Sequence, residues 1–145
     1  MIGAQLRTAT AAVHQAVFTR LARAGHHDLR PSHLALLQFP GPHGARPTEL
    51  AARVGLRKQA LNPLLNDLEN WGYLRRANDG EDRRGRILQL TARGMALMRI
   101  MRDTLEAIEL AMSDRLGAAG LQSFELALGQ VGEIAREVAG SPAAR

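Results

Sequence analysis

The chain has 145 residues, 46% hydrophobic and 23% charged, which suits a single globular domain over residues 1–145. Only 3% is aromatic, so Leu, Ala, Val, Ile and Met must fill the core. No apolar run approaches the roughly 18 residues of a membrane span, and the opening MIGAQLRTATAAVHQAV lacks the basic-then-apolar order of a signal peptide. The absence of cysteine excludes disulfides, thiolate metal sites and thiol redox sensing, and is compatible with a cytoplasmic protein. The formal net charge of +5 points to a polyanionic partner. Much of the positive charge lies in one stretch, with Arg75, Arg76, Arg83, Arg84, Arg86 and Arg93 against Asp79, Glu81 and Asp82.

Residues 1–24 read as one helix, because Ile2, Leu6, Ala9, Val13, Ala16 and Val17 recur at spacings that share a face. Gly25 ends it. Pro31 opens a short apolar helix to Phe39, and Pro40, Gly41, Pro42 and Gly44 stop it. Pro47 starts a third helix, with Glu49 near its positive end, and Gly55 closes it. A fourth is expected over roughly 57–71, burying Ala60, Leu61, Leu64, Leu65 and Leu68, with Gly72 as its left-handed stop. The period then changes to that of two short strands, Tyr73–Ala77 and Arg86–Leu90, around a polar hairpin loop. Thr91 is placed to cap the next helix, whose Met98, Met101, Leu105, Ile108 and Met112 make a heptad-like stripe. After Gly117–Gly120, Leu121, Phe124, Leu128, Val131, Ala135 and Val138 repeat that device.

Two short helices joined by a glycine turn and followed by a two-stranded ribbon make a winged helix-turn-helix. The expected class is mainly α (α+β), with the winged region at about 31–93 flanked by dimerisation helices at about 1–24 and 94–139. The leucines of helix 57–71 leave the opposite face to Lys58, Gln59, Asn62 and Asn66, with Arg57 at its start. Gln and Asn suit adenine edges, and Arg and Lys suit guanine or phosphate. Such a face alone also fits an ordinary solvated helix. The loop Asp82-Arg83-Arg84-Gly85-Arg86 tips the balance, because three arginines on a hairpin tip repel one another and bury nothing. A wing crossing a phosphate backbone or entering a minor groove explains them, with Asp82 shaping the loop.

Three segments together resemble the MarR family of bacterial regulators: Thr48-Glu49-Leu50-Ala51-Ala52-Arg53-Val54-Gly55-Leu56, Leu68-Glu69-Asn70-Trp71-Gly72-Tyr73-Leu74-Arg75-Arg76, and Asp82-Arg83-Arg84 leading to Leu88-Gln89-Leu90-Thr91-Ala92-Arg93-Gly94. The likeness runs from Asp28 to about Met98. It implies dimerisation through both chain ends, a wing whose Asp82 and Arg84 positions are characteristic, and Arg84 as the minor-groove contact. It also implies a repressor that leaves DNA when a small ligand binds. Two positions depart from the pattern. Arg57 stands where the family usually has a Ser or Thr cap. Pro63 lies inside the recognition helix, where it removes a hydrogen bond and should kink the helix near Gln59 to Pro63 or delay its start.

The expected partners are double-stranded DNA carrying an inverted repeat, a second copy of the chain, and a small ligand. The expected dimer interface is formed by Ile2, Leu6, Val13, Leu105, Ile108, Met112, Leu121, Phe124, Leu128 and Val131. Two alternatives stay open: a metal-responsive regulator using His26, His27, Asp28 and His33, and a winged module that binds protein. Adjacent histidines in a polar loop are more often solvated. No catalytic signature or cofactor motif stands in the chain, so neither catalysis nor a cofactor is expected.

Overall fold

A computed structural model describes residues 1–41, 43–78 and 85–140. The elements are α1 (Ile2–Arg23), α2 (Pro31–Leu37), α3 (Pro47–Val54), α4 (Lys58–Asn70), β1 (Leu74–Asn78), β2 (Arg86–Leu90) and α5 (Ala92–Gly140). This is the mainly helical winged arrangement expected. The chain divides into two compact units, Met1–Thr104 and Leu105–Arg145. The first holds the helix-turn-helix, the ribbon and the core.

That core is almost entirely aliphatic, as the scarcity of aromatic residues requires. Leu21, Leu36, Leu37, Leu50, Leu61, Leu65, Leu68, Leu88 and Leu97 are sealed from solvent, joined by Val17, Leu29, Leu34, Tyr73, Leu74 and Met101. Leu61, Leu65 and Leu68 recur at spacings of four and three, so α4 turns one face inward and leaves the other to solvent.

The helix starts and stops follow local chemistry. Pro47 occupies the first turn of α3, and Glu49 Oε2 accepts a hydrogen bond from the Arg46 N–H at 3.0 Å. Gly55 ends α3 at φ 67°, a left-handed turn that lets α4 begin after only two more residues. Thr91 caps α5 as expected: its Oγ1 accepts from the Gly94 N–H at 3.1 Å and donates to the Gly72 carbonyl. β1 and β2 pair antiparallel from Leu74↔Leu90 to Asn78↔Arg86, and Ala45 adds a bridge to Leu88.

Three boundaries refine the expectations. The fourth helix spans Lys58–Asn70 and runs unbroken through Pro63, which neither ends it nor delays its start beyond one residue. Proline leaves the Gln59 carbonyl without its usual N–H, and Gln59 is exposed, so water can serve that oxygen. The first ribbon strand starts at Leu74, one residue late, because the Tyr73 N–H is used by the Leu68 carbonyl at 2.8 Å. The expected break between helices 91–115 and 121–139 narrows to a kink within α5 at Gly117, whose φ of 71° and ψ of 164° are not helical.

In the second unit, Leu105, Leu110, Leu116, Phe124, Leu126, Leu128, Ile134 and Val138 are exposed large apolar side chains. Of the other residues expected at a dimer interface, Ile2 is exposed, and Leu6, Val13, Ile108, Met112, Leu121 and Val131 are partly buried.

Candidate nucleic-acid interface

An open groove of about 630 Å³ runs between α3, α4 and the base of the ribbon. It is lined by Arg46, Pro47 and Thr48 at the start of α3, by Lys58, Asn62 and Asn66 on α4, and by Arg76, Gly85 and Arg86 on the ribbon. Among the described residues, four cationic side chains and two amides share this lining with no acid. A surface of that composition attracts a polyanion and offers amide groups that both donate and accept hydrogen bonds.

Each α4 contributor reaches the groove for a reason legible in helix geometry. Lys58, Asn62 and Asn66 are four residues apart, so they form one stripe opposite the leucine face. Arg57 is the N-cap of α4, with extended backbone at φ −75° and ψ 153°, and its side chain makes no capping bond. The Arg57 carbonyl accepts from the Ala60 and Leu61 N–H groups instead. Arg57 and Gln59 are exposed but do not line the groove. Asp82, Arg83 and Arg84 lie outside the described residues.

Arg46, Thr48 and Arg76 were not among the expected site residues. Arg76 pairs with Leu88 and therefore faces the same side of the ribbon as Leu88 and Arg86. Period two from the buried Leu88 would have placed it there. Its Nε donates to both Glu69 oxygens, at 2.9 and 3.0 Å, which holds the guanidinium beside α4 and raises its pKa further. Arg46 gave no sequence signal, because its place depends on how α3 packs.

α4 is fixed to α2 by a second polar group. His33 is fully buried, and its Nδ1 accepts from the Arg30 N–H at 3.0 Å. The ring hydrogen must then sit on Nε2, which donates to Asp67 Oδ2 at 3.2 Å. Arg30 Nη2 stands 3.6 Å from the same oxygen. Trp71 meets the His33 ring edge-on, with centroids 5.0 Å apart. Burial lowers the His33 pKa, opposed by the hydrogen bond to Asp67. A similar group lies where β1 begins. Tyr73 Oη bonds His26 Nδ1 at 2.7 Å and accepts from Arg93 Nη2 at 3.3 Å, and the Arg93 guanidinium stacks over the Tyr73 ring. Burial, then the Arg93 charge, lowers the His26 pKa.

These bonds bear on the metal alternative. His26 gives one ring nitrogen to Tyr73, and His33 uses both of its own. Among the described residues no three of His, Cys, Asp and Glu stand together as a metal ion would need. No described helix is long and apolar enough to cross a membrane.

Residues 27–85 match the MarR family model. The HTH-type transcriptional regulator TtmR of Methylorubrum extorquens (strain PA1) is 38% identical over 73 residues, which cover 50% of this chain and 37% of that protein. The chain thus matches little more than a third of that regulator's length. Among solved structures, FabT of Streptococcus pneumoniae in complex with DNA superposes with a TM-score of 0.82 at 18% identity, covering 94% of this chain and 96% of FabT. A MarR family protein of Mycobacterium tuberculosis, also in complex with DNA, gives a TM-score of 0.63 at 25% identity over 91% of this chain and 98% of its own. Residues 27–85 are thus similar to the MarR family, and the chain shares the fold of these solved structures.

Proposed function

We propose that the chain is a homodimeric transcriptional regulator that binds duplex DNA in a sequence-specific way, acts as a repressor and is released by a small ligand. The observation that carries this reading is the groove itself, where Lys58, Asn62 and Asn66 of α4 share one concave face with Arg46, Arg76 and Arg86. Lys58, Asn62 and Asn66 enter the major groove, while Arg57 and Gln59 meet its edges. Arg86, with the wing residues Arg83 and Arg84 shaped by Asp82, meets the backbone or the adjacent minor groove. FabT and the Mycobacterium tuberculosis protein, which share this fold, were both solved in complex with DNA, and this supports duplex binding.

The winged region at about 31–93 reads DNA, and the segments at about 1–24 and 94–139 pair two copies. Exposed Ile2, Leu105, Phe124 and Leu128, with partly buried Leu6, Val13, Ile108, Met112, Leu121 and Val131, supply the apolar surface that pairing would cover. A two-fold dimer places its recognition helices about one helical turn apart, so the operator is an inverted repeat with half-site centres about 10 bp apart. The protein works in the cytoplasm and performs no catalysis.

The test is titration of the full chain with duplex DNA at several salt concentrations, beside sedimentation of the free protein. Each phosphate contact contributes about −0.9 to the slope of log affinity against log salt. Absence of duplex binding at low salt, or an affinity indifferent to salt, overturns the reading. A folded monomer at micromolar concentration overturns the dimer.

A further inference from the structure

We propose that Asn62 and Asn66 are the specificity-determining pair, each reading one adenine in the major groove, so that every half-site carries two A·T pairs nearly two base steps apart. The inference rests on the duplex-binding reading above and specifies what that site recognises.

Three observations lead to it. First, the structure separates residues that are equivalent in sequence: Asn62 and Asn66 line the cationic groove, and Gln59 does not. Second, neither Asn amide has a hydrogen-bond partner among the described residues, although the other polar groups of α4 that face a neighbour, Asp67 and Glu69, are both bonded. Third, asparagine is a poor helix former, and α4 places two of them around Pro63 on its exposed side. A helix that needed only to fold would carry better formers there. Local preference is usually broken where a site requires it.

Spacing sets the register. Four residues advance an α-helix by about 6 Å and turn it through about 400°, so both amides project to the same side. Base pairs rise about 3.4 Å per step, which puts the second amide just under two steps from the first. An asparagine amide presents one acceptor and two donors, the complement of adenine N6–H and N7. Lys58, one turn earlier on the same stripe, has only donors and makes no such pairing.

The experiment is selection of bound duplexes from a random pool by the native protein, N62A and N66A. It is followed by titration of the native protein with the selected site carrying 7-deazaadenine, which lacks the N7 acceptor, at each position in turn. The expected result is two A·T columns per half-site, separated by one base pair. Each variant loses one column, and each analogue weakens native binding roughly 5- to 150-fold. The analogue at the position read by Asn62 leaves N62A unaffected, and likewise for Asn66. Both side chains are exposed and Ala is the better helix former, so the variants should melt at or slightly above the native temperature; the analogue arm needs no variant at all. Selected sites without such a column pair, variants that leave both columns intact, or an analogue without effect overturn the assignment while leaving duplex binding standing. Failure of the native protein to select any duplex overturns the duplex-binding reading and this one with it.

Discussion

Asp67→Ala tests whether the bonds between α2 and α4 stabilise the winged unit. The His33 side chain is fully buried, and Asp67 Oδ2 is the acceptor for its Nε2–H. Removing that acceptor leaves a buried donor unsatisfied, at a cost of about 1–3 kcal/mol. The Arg30 contact adds little, because the two side chains are 66% and 38% exposed, 3.6 Å apart and well screened. Replacing Asp by Ala inside a helix returns about 0.5 kcal/mol of propensity. The net expectation is a loss of about 0.5–2.5 kcal/mol, or roughly 2–10 °C in melting temperature for a chain of this size. Asp67→Asn keeps one acceptor and should lose less than half of that. Arg30→Ala, which removes only the exposed partner, should stay within about 0.5 kcal/mol. Urea melts of the three variants with unchanged slopes give the comparison. If Arg30→Ala costs as much as Asp67→Ala, or if Asp67→Ala is neutral, the buried bond does not hold α4.

Acid should weaken the fold. His26 and His33 both have pKa values lowered from 6.5 in the native state, chiefly by burial, so the unfolded chain binds more protons. Their stabilisation is complete above about pH 6.5 and is lost as the pH falls from there toward the folded values, at up to about 1.4 kcal/mol per pH unit for each histidine. Urea midpoints that stay level between about pH 7 and 5 would contradict this. Gly94→Ala should cost about 3 kcal/mol, since its Cβ would stand 2.2 Å from the Tyr73 carbonyl oxygen and 3.0 Å from Leu90 Cδ2. A denaturant midpoint near that of the native protein would mean that the α5 start can move away from β1. Pro63→Ala restores an N–H to the Gln59 carbonyl in a helix that is already continuous. It should stabilise by up to about 3 kcal/mol, less about 1 kcal/mol for the freer unfolded chain, and a fall in melting temperature would show that the native backbone favours proline.

Most of the winged unit could be read from the chain because its rules are local. Pro47, Glu49 and Gly55 bound α3 through capping and a left-handed turn, and Leu61, Leu65 and Leu68 orient α4 by their spacing alone. Thr91 marks the start of α5 for the same reason. The candidate site was legible only in part. Helical period separates Lys58, Asn62 and Asn66 from the core, but it cannot say which exposed residues face a second element. Packing of α3 and the ribbon against α4 added Arg46, Thr48 and Arg76 to the groove and left Gln59 outside it. Packing likewise placed His26 and His33 in bonds to Tyr73 and Asp67, partners 47 and 34 residues away in the chain. A residue's own spacing reports which way it points from its helix axis. What it meets there depends on where distant segments come to rest, and here that is decided by the leucine core that draws α2, α3, α4 and the ribbon together.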